Sequence, residues 1–265
     1  IKNNSREKYE NIIGYFKQSG LFENKRIALV DSGWLGSVQR TLTELIKDNT
    51  DTGRITGYYF GLYRKKSERY RSFLFDISDA YRYVPTFCNN LFECFCSAPH
   101  GMTVGYRRTE NGIQPVTAKV NDYIADAAEI QNDIAVRFAA YACESDAVIP
   151  EKKRERLTAR LIKALMYKPD MEEAEIYGAF PFCDDATEIS VQPLACDSGK
   201  SIRNILFLNR ISRKRKGQSI YPDKGMFWLY GSIRLTGCKP VWVYRSSVRI
   251  WEKLRLIKEK RKQCR

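Results

Sequence analysis

Histidine is almost absent from this chain: His100 is the single one in 265 residues. Eight cysteines are present, at positions 88, 94, 96, 143, 183, 196, 238 and 264, but no two form a C-x-x-C pair. A structural zinc site needs about four close-spaced His or Cys ligands, so the pattern argues against a zinc-organised fold and for reduced, buried thiols. Cys94 and Cys96 lie two apart in the helix-like run "ECFCS" and point in different directions. Long apolar runs are missing too. Charges interrupt every stretch before it reaches the roughly 18 apolar residues of a membrane-spanning helix, "GMFWLYGSIRLTGCKPVWVYR" included. The chain opens at Ile1 without a Met and without a basic segment leading into an apolar one, which predicts no signal peptide and a further part upstream. A soluble or peripheral, cytoplasmic location is expected, with the inner membrane face as the alternative.

Acidic residues are scarce in one place only. The formal charge is +14, yet residues 199–265 hold 19 Lys and Arg against Asp223, Glu252 and Glu259, while residues 1–198 come to −2. Two different surfaces follow. "SRKRKG" at 212–217 concentrates the positive charge, and "SSVRIWEKLRLIKEKRKQCR" places Ile250, Trp251, Leu254 and Ile257 at near-helical spacing among Arg and Lys. Such a helix packs its stripe on the domain, or lies in the headgroup layer of an anionic membrane. Nucleic acid as partner is disfavoured: no zinc-finger spacing, RNA-recognition signature or helix-turn-helix pattern accompanies the high pI.

Along the chain, "SREKYENIIGYFKQS" predicts a helix with Tyr9, Ile12, Ile13 and Phe16 on one face, Ser5 as N-cap and Gly20 as stop. "RIALVD" at 26–31 suits a strand buried on both faces. "SVQRTLTELIKD" predicts a helix with stripe Val38, Leu42, Leu45 and Ile46, and "RITGYYFGLY" at 54–63 predicts a second strand. Strand, helix, strand in about 38 residues is a βαβ unit with parallel pairing. "RSFLFDI" predicts a third strand, Pro85 the start of a helix, and "ENG" a hairpin between 103 and 117; helices are expected over 120–143 and 151–167, with a short one after Asp170. The polar stretch 184–200 reads as a mobile connection. The expected class is α/β: a Rossmann-like three-layer core with a short parallel sheet, then a helical region and a mixed basic C-terminal part, divided as 1–183 and 184–265.

The turn "DSGWLGS" at 31–37 joins the first strand to its helix. In open parallel sheets ligands bind beyond the carboxyl ends of strands, where Asp31 falls. A glycine turn opening a helix exposes N–H groups at a positive dipole end, a natural cradle for an anion. Gly33 and Gly36 would let a phosphate approach, Ser32 and Ser37 would donate hydrogen bonds, Trp34 would stack on a sugar or base, and Asp31 would hold hydroxyls or Mg²⁺. Arg40 would add charge if it faced inward. The turn lacks the Lys of G-x-x-x-x-G-K-[ST] and the third glycine of the dinucleotide fingerprint. It also resembles the ribose-phosphate loop of phosphoribosyltransferases, with one acid where that loop has two. The alternative is a tight turn with Trp34 as a packing residue and Asp31 as a cap.

"VDSGWLGSVQRTLTELI", "ITGYYFGLY", "NNLFECFCSAPHGMTVGY" and "GIQPV", in this order over residues 1 to about 140, resemble the carboxyl-terminal region of bacterial HAD-superfamily hydrolase-like proteins encoded among genes for surface polysaccharide synthesis. In that family the hydrolase-like domain lies upstream; its D-x-D-x-[TV] motif is absent here, and "DISD" at 76–79 is no substitute. The resemblance implies an association with glycan assembly rather than phosphatase chemistry. It carries over Asp31, Gly33, Trp34, Gly36, Ser37 and Gln39, and also Glu93, His100, Gly101 and Tyr106. Ser32 departs from the β-branched residue usual there. A carboxylate and imidazole pair drawn from Asp31, Glu93 and His100 would handle proton transfer at a phosphate or glycosidic centre. The expectation is a domain that binds a sugar phosphate or nucleotide sugar, with phosphoryl or glycosyl transfer as its chemistry. Its rival is a non-enzymatic scaffold docked to an anionic membrane surface.

Overall fold

The computed structural model describes residues 2–23, 26–49, 54–120, 122–144, 149–183, 191–197, 202–203, 206, 211, 226–237 and 239–263. The basic run 212–217 lies outside them. The chain divides into two compact units, Ile1–Phe73 with Ala98–Ala135, and Leu74–Ser97 with Val136–Arg265. That division is interleaved in sequence, unlike the expected break at residue 184.

The first unit is an α/β layer with a hairpin. Helix α1 (Lys2–Gln18), strand β1 (Arg26–Asp31), helix α2 (Ser37–Asn49), β2 (Arg54–Gly61) and β3 (Tyr70–Phe75) come in order. The sheet has three parallel strands in the order β1-β2-β3. Ile27 pairs with Ile55, Leu29 with Gly57 and Asp31 with Tyr59, so these residues share one face. Gln39 of α2 lies on that face. The other side of β1 is open: Val30 is 83% exposed. The expectation that β1 is buried on both faces is therefore wrong, because it is an edge strand with cover on one side only. The stripe of α2 is also turned, since Val38 is exposed while Gln39 and Ile46 are buried.

Helix α1 begins before Ser5, so that residue is not its cap, but Gly20 does stop it, at φ 74° with Leu21 N–H bonded to the Phe16 carbonyl at 2.9 Å. Strands β4 (Thr103–Thr109) and β5 (Gly112–Thr117) form the hairpin. It is held to α1 through ring contacts of Tyr106 with Tyr15 and with Phe16 of the predicted stripe, and through polar residues that the stripe did not include. Asn11 Nδ2 donates to the Tyr106 carbonyl at 3.1 Å and Arg108 Nε donates to Asn11 Oδ1 at 3.1 Å, while Ile113 N–H donates to Gln18 Oε1 at 2.9 Å. Tyr9 of that stripe is exposed.

In the second unit, helix α3 (Ala80–Tyr83) runs into a 3-10 turn (Val84–Thr86), and helix α4 (Asn89–Phe95) follows. Pro85 thus belongs to the turn, and the helix expected from it starts four residues later. The rest of the described chain is α5 (Asp122–Glu144), which passes from the first unit into the second, α6 (Glu151–Tyr167), α7 (Met171–Gly178), the short pair β6 (Pro181–Phe182) and β7 (Gln192–Pro193), α8 (Leu229–Leu235) and α9 (Val241–Gln263). The core gathers Leu91, Met166, Leu194, Trp228, Ile233 and Val248. Trp228 is its centre: the indole N–H donates to the Met166 carbonyl at 2.8 Å and the ring takes the place of any Cβ at Gly231. Within the stretch expected to be mobile, Leu194 is wholly buried; 184–190 and 198–200 lie outside the described residues. On α9 Ser247, Val248 and Leu256 are buried and Trp251 is half-buried, whereas Ile250, Leu254 and Ile257 are exposed, so the packed face is not the predicted stripe. Among the described residues no helix is long and apolar enough to cross a membrane.

Candidate functional site

At the carboxyl ends of β1 and β2 the turn 31–36 folds back on itself. Asp31 Oδ1 accepts the Gly33 N–H at 2.8 Å, closing a turn that mimics a backbone one. The carbonyl of Trp34 accepts the Tyr63 N–H at 2.8 Å, tying the turn to the segment after β2. Gly36 follows with φ 67°, and the Arg40 N–H donates to its carbonyl at 3.2 Å as α2 begins. A Cβ on Gly36 would stand 2.9 Å from Tyr70 Cε1 and 3.4 Å from the Tyr59 hydroxyl. Glycine is therefore needed twice over there, for a left-handed backbone and for two tyrosines lying against it. The space beside Gly36 that was expected to admit a phosphate is thus taken by protein, the Tyr70 and Tyr59 side chains.

Tyr59 is the hub of the cluster. Its hydroxyl donates to Gln39 Oε1 at 2.8 Å, and its ring stacks on Tyr70 with centroids 6.3 Å apart. The Gln39 amide nitrogen in turn donates to the carbonyls of Arg69 at 2.8 Å and Ile55 at 3.3 Å. Gly57 makes room, since a Cβ there would meet Gln39 Oε1 at 2.0 Å. Arg64 places its guanidinium 4.5 Å from the Tyr70 ring centroid. Burial, then the charge of Asp31 and the Tyr70 phenol, push the Tyr59 hydroxyl up to about 12, against the pull of Arg64. Asp31, Tyr59, Tyr70 and Arg64 thus share one electrostatic neighbourhood.

Of the residues singled out from sequence, Asp31, Gly33, Trp34, Gly36 and Gln39 belong to this cluster. Asp31 and Trp34 are half-buried, Ser32, Ser37 and Arg40 are exposed, and the amide of Gln39 is committed to protein partners. Three others gather elsewhere, at the hairpin. His100 is exposed, with Nδ1 3.0 Å from the Gly101 carbonyl, which can only accept, so Nδ1 is the donor there. Gly101 is buried, and a Cβ there would collide with the Ala118 carbonyl oxygen at 2.2 Å, so the position requires glycine. Tyr106 packs on α1, its ring 4.6 Å from that of Tyr15, with burial raising its hydroxyl. Glu93 lies on α4 in the second unit, half-buried beside Cys88, Cys94 and Cys96, whose thiols are raised chiefly by burial.

Tyr59, Tyr70 and Arg64 were missed in the sequence. Tyr59 carried a weak signal, being the strand position paired with Asp31, and Arg64 opens the basic run "RKKSER". For a metal the arrangement supplies little. Asp31 is a lone carboxylate with one oxygen already engaged, and among the described residues no group of three or more His, Cys, Asp and Glu is placed to hold an ion. Comparison with protein-family models, curated proteins and solved structures finds no match.

Proposed function

We propose that the turn between β1 and α2 binds a phosphorylated or nucleotide-linked sugar. The observation that carries this reading is the convergence of Asp31, Tyr59, Tyr70 and Arg64 at the carboxyl ends of two parallel strands, beside the start of a helix of 13 residues. Because Asp31 takes the Gly33 N–H, the anion falls to the amides that follow it, up to Ser37, with Arg64 as counter-charge. The free oxygen of Asp31 accepts sugar hydroxyls, and Trp34 stacks on the sugar or base. By its resemblance to proteins of surface polysaccharide synthesis, the chain serves glycan assembly, with phosphoryl or glycosyl transfer as the chemistry such a ligand would undergo. Titration calorimetry with nucleotide sugars and sugar phosphates tests it. Saturable heat that is lost in Asp31→Ala upholds the reading; absence of heat from a folded protein rejects it.

A second reading rests on α9. Trp242, Ile250, Leu254 and Ile257 are exposed there, and Arg249 and Lys258 are exposed beside them. An apolar face edged by cations suits attachment to an anionic bilayer, as in a scaffold docked at a membrane. Co-sedimentation with vesicles containing anionic lipid supports it if Leu254→Glu abolishes binding, and indifference to lipid charge rejects it.

A further inference from the structure

A guanidinium nitrogen taken out of water without a partner is costly, so each such atom in a folded protein calls for an explanation. The second unit has two. The Nε atoms of Arg234, in α8, and Arg245, in α9, are sealed from solvent and have no hydrogen-bond partner among the described residues. They belong to one cluster. Burial, and then repulsion from Arg234, hold the Arg245 guanidinium below its ordinary range, with the Tyr167 and Tyr230 phenols acting the other way. Arg249 adds a third positive charge near Tyr230. The acid felt there is Glu252, and its carboxylate is held by Arg255 at 2.8 Å. Among the described residues no ion pair neutralises Arg234 or Arg245.

Two like charges brought together, partly desolvated and not ion-paired to a carboxylate, lower stability unless something of opposite sign joins them. The surroundings are not soft. Tyr230 is anchored by its hydroxyl to the Pro85 carbonyl at 2.5 Å, and Ile233 and Val248, one residue before Arg234 and three after Arg245, sit in the core. The backbone from which both arginine stems start is therefore fixed by the core on either side. We propose that Arg234 and Arg245 form a binding site for a phosphate-class oxyanion, inorganic phosphate or a phosphate monoester, between α8 and α9. Arginine forks match phosphate oxygens with two parallel hydrogen bonds, and two guanidiniums balance a dianion. The site lies in a different unit from the β1–α2 turn and does not rest on the sugar-binding reading.

Thermal unfolding of the full chain tests it, with sodium phosphate compared with sodium chloride at equal ionic strength. Phosphate should raise Tm saturably, and chloride should not. The double variant Arg234→Met/Arg245→Met should lose the phosphate increment while keeping or raising Tm in phosphate-free buffer, since a repulsion is gone. Arg249→Met should keep the increment. If the double variant fails to fold, Arg234→Lys and Arg245→Lys keep the charge and remove the fork, and calorimetry should then read at least tenfold weaker phosphate binding. Equal effects of phosphate and chloride on the unaltered protein would overturn the proposal, as would a phosphate increment that survives in the double variant. Glycerol phosphate separates the two sources: tighter binding than inorganic phosphate upholds the site as one for monoesters, and weaker binding upholds it for the free ion.

Discussion

Replacing Gln39 by Leu probes the polar frame under the β1–α2 turn. Gln39 is 1% exposed, and leucine has nearly its volume, so the change removes hydrogen bonds with little cavity. Three are lost. The Arg69 carbonyl keeps the Gly57 N–H at 2.8 Å, and the bond to Ile55 is long at 3.3 Å, so these two contribute little. The Tyr59 hydroxyl is the main loss, because it is buried and Gln39 Oε1 is the acceptor it has. An unsatisfied buried hydroxyl costs about 1–3 kcal/mol, and the remaining bonds bring the total to about 2–3 kcal/mol. Urea unfolding followed by tryptophan fluorescence, with hydrogen exchange of β2 amides as a local readout, measures it. A double-mutant cycle with Tyr59→Phe isolates the cause. Removing the orphaned hydroxyl should make Gln39→Leu milder by about 1 kcal/mol or more. A loss under about 0.5 kcal/mol, or strict additivity of the two changes, would refute the reasoning.

Other perturbations follow from the same contacts. Gly36→Ala should destabilise the first unit by about 1–3 kcal/mol in urea unfolding, from the positive φ and the approach to Tyr70, and should weaken ligand binding in parallel. Tyr59 should ionise near pH 12 in a spectrophotometric titration read as a difference against Tyr59→Phe, and Asp31→Asn should bring this down while leaving it above 10, since burial is the larger cause. The sign of the linked stability follows: a raised phenol favours the neutral form in the fold, so its contribution is complete below pH 10 and is lost as pH rises towards 12. Asp170→Ala should cost about 1 kcal/mol by breaking the capping box in which Asp170 accepts the Glu173 N–H at 2.8 Å, as measured by urea unfolding.

Much of the fold was legible because periodicity and punctuation agreed. Strand, glycine turn, helix and strand over 26–61 appear where the pattern puts them, as do the hairpin at 103–117 and the helices bounded by Pro150 and Pro169. What escaped was polar or ambiguous. Gln39 occupies a core position although its side chain reads as surface, because the groups that satisfy it come from positions 55, 59 and 69, far along the chain. Asn11 and Gln18 clasp the hairpin for the same reason. On α9 apolar residues occur on more than one face, so spacing alone could not choose Val248 and Leu256 over Ile250 and Leu254. In the site, Asp31 and Gly36 were visible as a motif, while Tyr59, Tyr70 and Arg64 join them only through strand register and the return of the chain after β2.

The central claim concerns the amides from Trp34 to Ser37, and nitrogen-resolved NMR reads them directly. Titration of the labelled protein with a nucleotide sugar or a sugar phosphate should move those amide resonances and the Trp34 indole N–H saturably, with the Asp31→Asn protein showing a weakened response. Unchanged resonances at residues 34–37 under saturating concentrations of every such compound would contradict the account.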